Sequence, residues 1–242
     1  MTKLSQRKKN QIVKATNIHA PESKDKYLAS IEGELYSSLA KLFNKKGITY
    51  SKARPQLNIL YRRLQNDLQR QMNKDMNVME EELINALRES YVGTSESLGN
   101  DKSLSNRRVK KLLDFPWSGA TFRTRTLQHM ETLFKSIQNE VAKELKGEKN
   151  YLKVIDRLAK RFETYNSRMY YLKKSETEHF VQEGANATYK DKHVQKVQWV
   201  TLHDDTTCLL CSALDGQVFD INNTPPLPQH GNCRCRLVPV EI

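Results

Sequence analysis

Apolar positions recur at helical spacing along most of this chain and switch to strand-like alternation only near its end. From Ser23 to Asn44, Tyr27, Ile31, Leu35, Leu39 and Leu42 predict an amphipathic helix that Gly47 ends. Pro55 is placed to open the next one, because the first helical turn tolerates its missing N–H. There Leu57, Leu60, Leu64, Leu68, Met72, Met76, Met79, Leu83 and Leu87 form one stripe over roughly nine turns. Such a stripe packs against other helices, and its methionines read as gap-filling core. The Gly- and Ser-containing run 93–106 is a candidate linker.

Beyond Phe115-Pro116-Trp117-Ser118-Gly119, Ser118 is a candidate helix cap. In the helix that follows, Phe122, Leu127, Met130, Leu133, Phe134, Ile137, Val141 and Leu145 are the expected buried side, and Gly147 the stop. Another long helix is expected from Tyr151, with Val154, Ile155, Leu158, Phe162, Tyr165, Met169 and Leu172 on its stripe and one break before Tyr189. Steps of four from Leu172 reach Glu176 and then Phe180. A carboxylate on an apolar face needs a cation or a hydrogen-bond donor. The alternative is a bend that leaves Glu176 in solvent.

Past Val194 the period changes. Val197, Trp199 and Thr201 alternate with Gln198, Val200 and Leu202 as in a strand. Asp215-Gly216 reads as a turn, 217–220 as a short strand and Cys233 to Val240 as a closing strand. The fold class is therefore α+β, mostly α: long amphipathic helices followed by a small C-terminal β unit pinned by cysteines. Four regions are expected. They are a flexible basic arm at 1–22, an N-terminal helical region and linker at 23–106, a central helical part at 107–195 and a Cys-rich β unit at 196–242.

Charge sharpens that division. The chain carries 40 Lys+Arg against 28 Asp+Glu, a net +12. Residues 1–198 hold 38 and 23 of these, hence +15, whereas residues 199–242 hold 2 and 5, hence −3. The surplus points to a polyanionic partner, above all nucleic acid. Candidate DNA contacts are the basic clusters Arg7-Lys8-Lys9, Arg62-Arg63, Arg107-Arg108 and Lys110-Lys111; a solvated basic surface is the plainer alternative. The chain has no run of 18 apolar residues, so no membrane helix is expected. The basic start lacks an apolar signal segment, so synthesis in the cytoplasm is expected.

All four cysteines fall at Cys208-x-x-Cys211 and Cys233-x-Cys235, with His230 before the second pair. In a reducing compartment, paired cysteines more often bind metal than form disulfides. Four thiolates, or three with His230, would close a tetrahedral structural zinc site. The single residue between Cys233 and Cys235 departs from the usual two. A redox dithiol lacks its strand-then-helix context. A hydrolase using His203, Asp204 and Asp205 lacks an open coordination position on a four-sulfur ion. His19, His129, His179 and His193 are isolated, and no enzymatic activity is expected.

The order Trp199…Asp204-Asp205-x-x-Cys208-x-x-Cys211-x-x-Leu214-Asp-Gly216…Pro225-Pro226…His230-x-Asn232-Cys233-Arg234-Cys235 resembles the phage Mu protein F-like family of minor capsid proteins. The Phe115–Gly119 entry fits that family's aromatic segment. Lys174-Ser175-Glu176 stands where the family has Arg-Thr-Glu, keeping the carboxylate and losing the arginine. The resemblance covers about residues 115–238. It implies a virion protein acting in head morphogenesis at the portal vertex. Portal protein, double-stranded DNA and scaffolding or major capsid protein would be its partners, and it would leave the capsid with the genome in some relatives. The other class kept open is a cytosolic zinc-containing DNA-binding regulator, which the acidic cysteine unit disfavours. One further expectation joins two odd residues. Arg234, between the cysteines, projects opposite to their sulfurs in a strand and would meet Glu176, so that zinc and an ion pair together hold the tail on the helix.

Overall fold

The longest apolar stripe becomes one continuous helix, α3, at Tyr50–Ser97. Leu57, Leu64, Leu68, Met72, Met76, Met79, Leu83 and Leu87 are buried along it, while Leu60 is half-buried. The helix starts a turn before Pro55: Thr49 lends its hydroxyl to the Lys52 N–H and its carbonyl to the Ala53 N–H. It is preceded by α1 at Gln6–Ala15 and α2 at Ala29–Phe43. It is followed by α4 at Asn106–Leu113, a 3-10 turn at Trp117–Gly119, α5 at Phe122–Lys146 and α6 at Tyr151–Asp191. Strand β1 at Lys196–Val200, helix α7 at Leu209–Leu214, strand β2 at Val218–Asp220 and strand β3 at Arg236–Pro239 complete the chain. This computed structural model describes residues 3–18, 28–99, 102–203, 207–231 and 233–241. His19, Pro21, Tyr27, Asp204, Asp205 and Asn232 lie outside them.

The chain divides into two compact units. One comprises 23–78 and 122–170, and all of its described elements are helices. Its core joins Leu35 and Leu39 of α2, Leu57 and Leu68 of α3, Ile137 and Val141 of α5, and Leu158 and Phe162 of α6. Beside that core, Arg161 and Arg157 of α6 reach Glu140 of α5, and Arg157 also reaches Glu144 at 3.0 Å. Leu127, expected inside, is exposed.

The other unit comprises 1–22, 79–121 and 171–242. Its sheet has the order β2-β1-β3, all antiparallel, with Val197 opposite Phe219 and Pro239 and Trp199 opposite Leu237. Val197 and Trp199 are fully buried, as the alternation requires. They pack with Tyr189 of α6, Ile12 of α1, Leu237 and Val238.

Four expectations change here. The arm expected at 1–22 contains α1, capped by Ser5 and anchored by Ile12; the Leu4 N–H donates to Val240 O at 2.8 Å. The helix pattern was hidden by its Lys and Arg face. The expected linker is helical as far as Ser97, and α1 packs closely on it at Gly93: a Cβ there would stand 2.9 Å from Ala15 Cβ. Ser118 does not cap α5; it sits in the 3-10 turn at φ 51°, and α5 begins four residues later. Helix α6 runs unbroken past Tyr189.

Candidate metal centre

Helix α7 is a single short turn whose N-cap is Cys208, and its sulfur accepts the Cys211 N–H at 3.4 Å. That turn aims both side chains to one side. His230 arrives from the loop after β2, which lies along α6, with Leu227 O 3.4 Å from His179 Nδ1. The Cys233 N–H then bonds back to His230 O at 3.2 Å. His230 Nε2 lies 3.2 Å from Cys208 Sγ and 3.4 Å from Cys211 Sγ, and Cys211 Sγ lies 3.7 Å from Cys233 Sγ. Cys208, Cys211 and His230 form one donor triplet, and Cys211, Cys233 and Cys235 another, each with its atoms within 4.8 Å of one another. Cys211, Cys233 and Cys235 are buried, and all four cysteines are free thiols.

Proton chemistry in the cluster is shared. A hydrogen bond from the Cys235 side chain pulls the Cys233 thiol down to about 5, and the same contact pushes Cys235 up. Burial pushes the Cys211 thiol up to about 12. Cys208 is lowered by the Cys211 backbone N–H. Burial opposes the imidazolium of His230, but Gly231 O and the Cys233 and Cys208 sulfurs outweigh it and raise the ring. Gly231 O lies 2.9 Å from Nδ1, which places the Nδ1 proton there and leaves the Nε2 lone pair facing the sulfurs. Soft thiolates with one oriented imidazole are the donor set of a closed tetrahedral metal site. The cluster can hold a metal ion.

Around it, β3 starts only at Arg236, so the strand expected from Cys233 begins three residues late. Arg236 is the guanidinium that enters the interior: Nη1 lies 2.7 Å from Glu178 Oε2, Nε donates to Thr16 O at 2.9 Å and Nη1 donates to Cys235 O. One buried side chain thus ties β3 to α6 and to the end of α1. Tyr189 donates to Leu237 O and Gln182 accepts the Leu237 N–H, fastening the same strand. Glu176 is fully buried, so the alternative of a solvated carboxylate does not hold, and Trp117 Nε1 donates to it at 2.8 Å. Trp117 also stacks on His179, with ring centroids 4.2 Å apart.

Glu178, Gln182 and Tyr189 were missed because the stripe rule follows one helix face, and Arg236 because the expected cation was Arg234, between the cysteines. The signal lay in composition: from Phe180 to Tyr189 charge is sparse on every face, which marks a helix buried all round. His203, read as a candidate catalytic group, faces Asp215 at 3.3 Å.

The basic clusters are split. Arg7 and Lys8 are exposed on α1, while Lys9 donates to Gln198 Oε1. Arg107, Lys110 and Lys111 are exposed on α4 in the same unit. Arg62 and Arg63 are exposed in the other unit. Arg108 is turned inward, donating to both oxygens of Asp191 at 2.9 and 2.7 Å and to Ala187 O at 3.0 Å. Among the described residues no helix is long and apolar enough to cross a membrane.

Residues 135–238 match the family model described as Phage Mu protein F like protein. That segment starts within α5 and ends inside β3, so it contains all five candidate metal donors. No curated protein and no solved structure matched the chain.

Proposed function

With a phage Mu protein F-like segment spanning residues 135–238, we propose that this chain is a minor head protein of a phage virion, acting in head morphogenesis at the portal vertex. The family segment is the observation that carries this reading. The role is structural, with a portal protein and scaffolding or major capsid protein as its neighbours. Mass spectrometry of purified proheads and mature particles tests it: the chain is expected at low copy, and its absence from both overturns the role.

Packaged double-stranded DNA is the proposed polyanion. Supporting it are the exposed cations Arg7, Lys8, Arg62, Arg63, Arg107, Lys110 and Lys111. Binding to duplex DNA is expected to be indifferent to sequence and to weaken steeply with salt, each neutralised phosphate adding about −0.9 to the log–log slope. Strong sequence preference would instead favour a regulator.

Zinc is the proposed ion. The sulfur-rich donors and the hydrogen-bonded His230 support it. It would staple an acidic tail too small to bury a core of its own. The proposed Glu176–Arg234 pair would be a second fastening beside Arg236–Glu178. A charge-reversed Glu176→Arg/Arg234→Glu double variant no more stable than either single one counts against it.

A further inference from the structure

The second half of the metal motif is out of step with the first only if it is taken as a cysteine pair. Cys208 and Cys211 are separated by two residues, and so are His230 and Cys233. Both spacings are closed by a local backbone bond, helical (i+4) in the first and of the turn kind (i+3) in the second. Ser212 N–H returns to Cys208 O at 2.9 Å after the first pair, and Cys233 N–H returns to His230 O at 3.2 Å within the second. Each is a turn that points its first and last side chains at one centre.

Distances agree. With metal–sulfur bonds of about 2.3 Å and metal–nitrogen bonds of about 2.0–2.1 Å, the edges of a tetrahedron are about 3.8 Å between sulfurs and about 3.6 Å between sulfur and nitrogen. The three contacts Cys208–His230, His230–Cys211 and Cys211–Cys233 measure 3.2, 3.4 and 3.7 Å. They link four donors in one path: two from each turn. His230 also has the outer partner of a metal-bound imidazole, Gly231 O at 2.9 Å from Nδ1.

Resting on the proposed zinc site, we infer that the ion takes Cys208, Cys211, His230 and Cys233, and that Cys235 is left out as a buried thiol. Cys235 is the residue before β3, packed in the core with Trp199 and Leu237. There it serves as a buried thiol hydrogen-bonded to Cys233, beside the sulfur of Cys211, outside the ion's own ligands. Three sulfurs and one nitrogen make a closed site with no position for water, so the ion is structural.

The test uses the full chain. Zinc content by elemental analysis and affinity by competition with a chromophoric chelator are measured for the parent and for Cys235→Ser, Cys235→Ala, His230→Gln and Cys233→Ser. Circular dichroism confirms the helical body in each. The parent and at least one Cys235 variant are expected to hold one zinc per chain with affinities within about threefold. His230→Gln and Cys233→Ser are expected to weaken binding more than the 10–100-fold typical of outer-shell changes. The cobalt-loaded parent should show a three-thiolate spectrum, and His230→Cys should move it to the redder, more intense four-thiolate form. Zinc retained by His230→Gln but lost from both Cys235 variants overturns the assignment in favour of four sulfurs. A parent that binds no metal overturns the zinc reading itself, leaving the head-protein role untouched.

Discussion

Replacing Gly184 with alanine tests how α3 and α6 meet near the cysteine unit. A Cβ at position 184 would stand 2.3 Å from Leu87 O, 2.9 Å from Ser90 Cβ and 3.0 Å from Tyr91 N. The first and last of these are backbone atoms of α3, which cannot rotate away. Ordinary contact requires about 1 Å more separation, and overpacking of this kind costs about 1–3 kcal/mol. The same movement stretches two bonds that cross between the helices, Ser90 Oγ to Val181 O at 2.6 Å and Thr188 Oγ1 to Tyr91 O at 3.0 Å. Each contributes about 1 kcal/mol. Alanine returns about 1 kcal/mol of helix propensity. The net is a destabilisation of about 2–4 kcal/mol if both bonds are lost, confined to the unit that contains residue 184. Both tryptophans, Trp117 and Trp199, belong to that unit, so fluorescence-monitored urea unfolding reports on it. Gly33 is the control: it lies within α2 with nothing within 4 Å of a Cβ, and Gly33→Ala should stabilise the other unit by about 1 kcal/mol by circular dichroism. An unchanged or raised fluorescence midpoint in Gly184→Ala would refute the close approach.

Arg236→Met removes the guanidinium from beside the buried Glu178 carboxylate, and should cost about 3–5 kcal/mol; adding Glu178→Gln should recover part of it. Hydrogen exchange along 4–16 should rise in the single variant, because the bond to Thr16 O goes with the guanidinium. Burial raises Asp191, but hydrogen bonds from Arg108 and Tyr91 outweigh it and hold the carboxylate below its ordinary range. A depressed folded-state value adds stability that is present above about pH 3.9 and lost as pH falls through the folded value. Asp191→Asn should therefore differ from the parent at neutral pH and converge with it in acid, as followed by urea midpoints across pH. Chelation should expose 196–241 to protease while the helices of the other unit persist, and zinc retention should fall in acid as the donors take up protons. Proteolysis and elemental analysis check the two.

Much of the helix and strand identity was legible in the sequence. The long stripe on α3, the change of period at Val197, the turn at Asp215-Gly216 and the stop at Gly147 all follow from short-range periodicity and from residues that fix their own backbone. The cluster of candidate metal donors was legible too, because cysteine clustering and turn-forming spacing are local. Tertiary structure decided what local rules cannot reach. Gly93, in a run that reads as linker, lies within α3 where α1 packs closely enough that a Cβ would clash with Ala15. The arm at the start is a helix because Ile12 finds Trp199 and Val238, more than 180 residues away, to bury against. Arg236 meets Glu178, since pairing with β1 begins at that residue and turns its side chain inward. His230 also joins the sulfurs through a turn whose end point only the folded loop against α6 supplies. In each case the deciding contact lies far away in sequence, and no periodicity within one segment carries information about the surface it will meet.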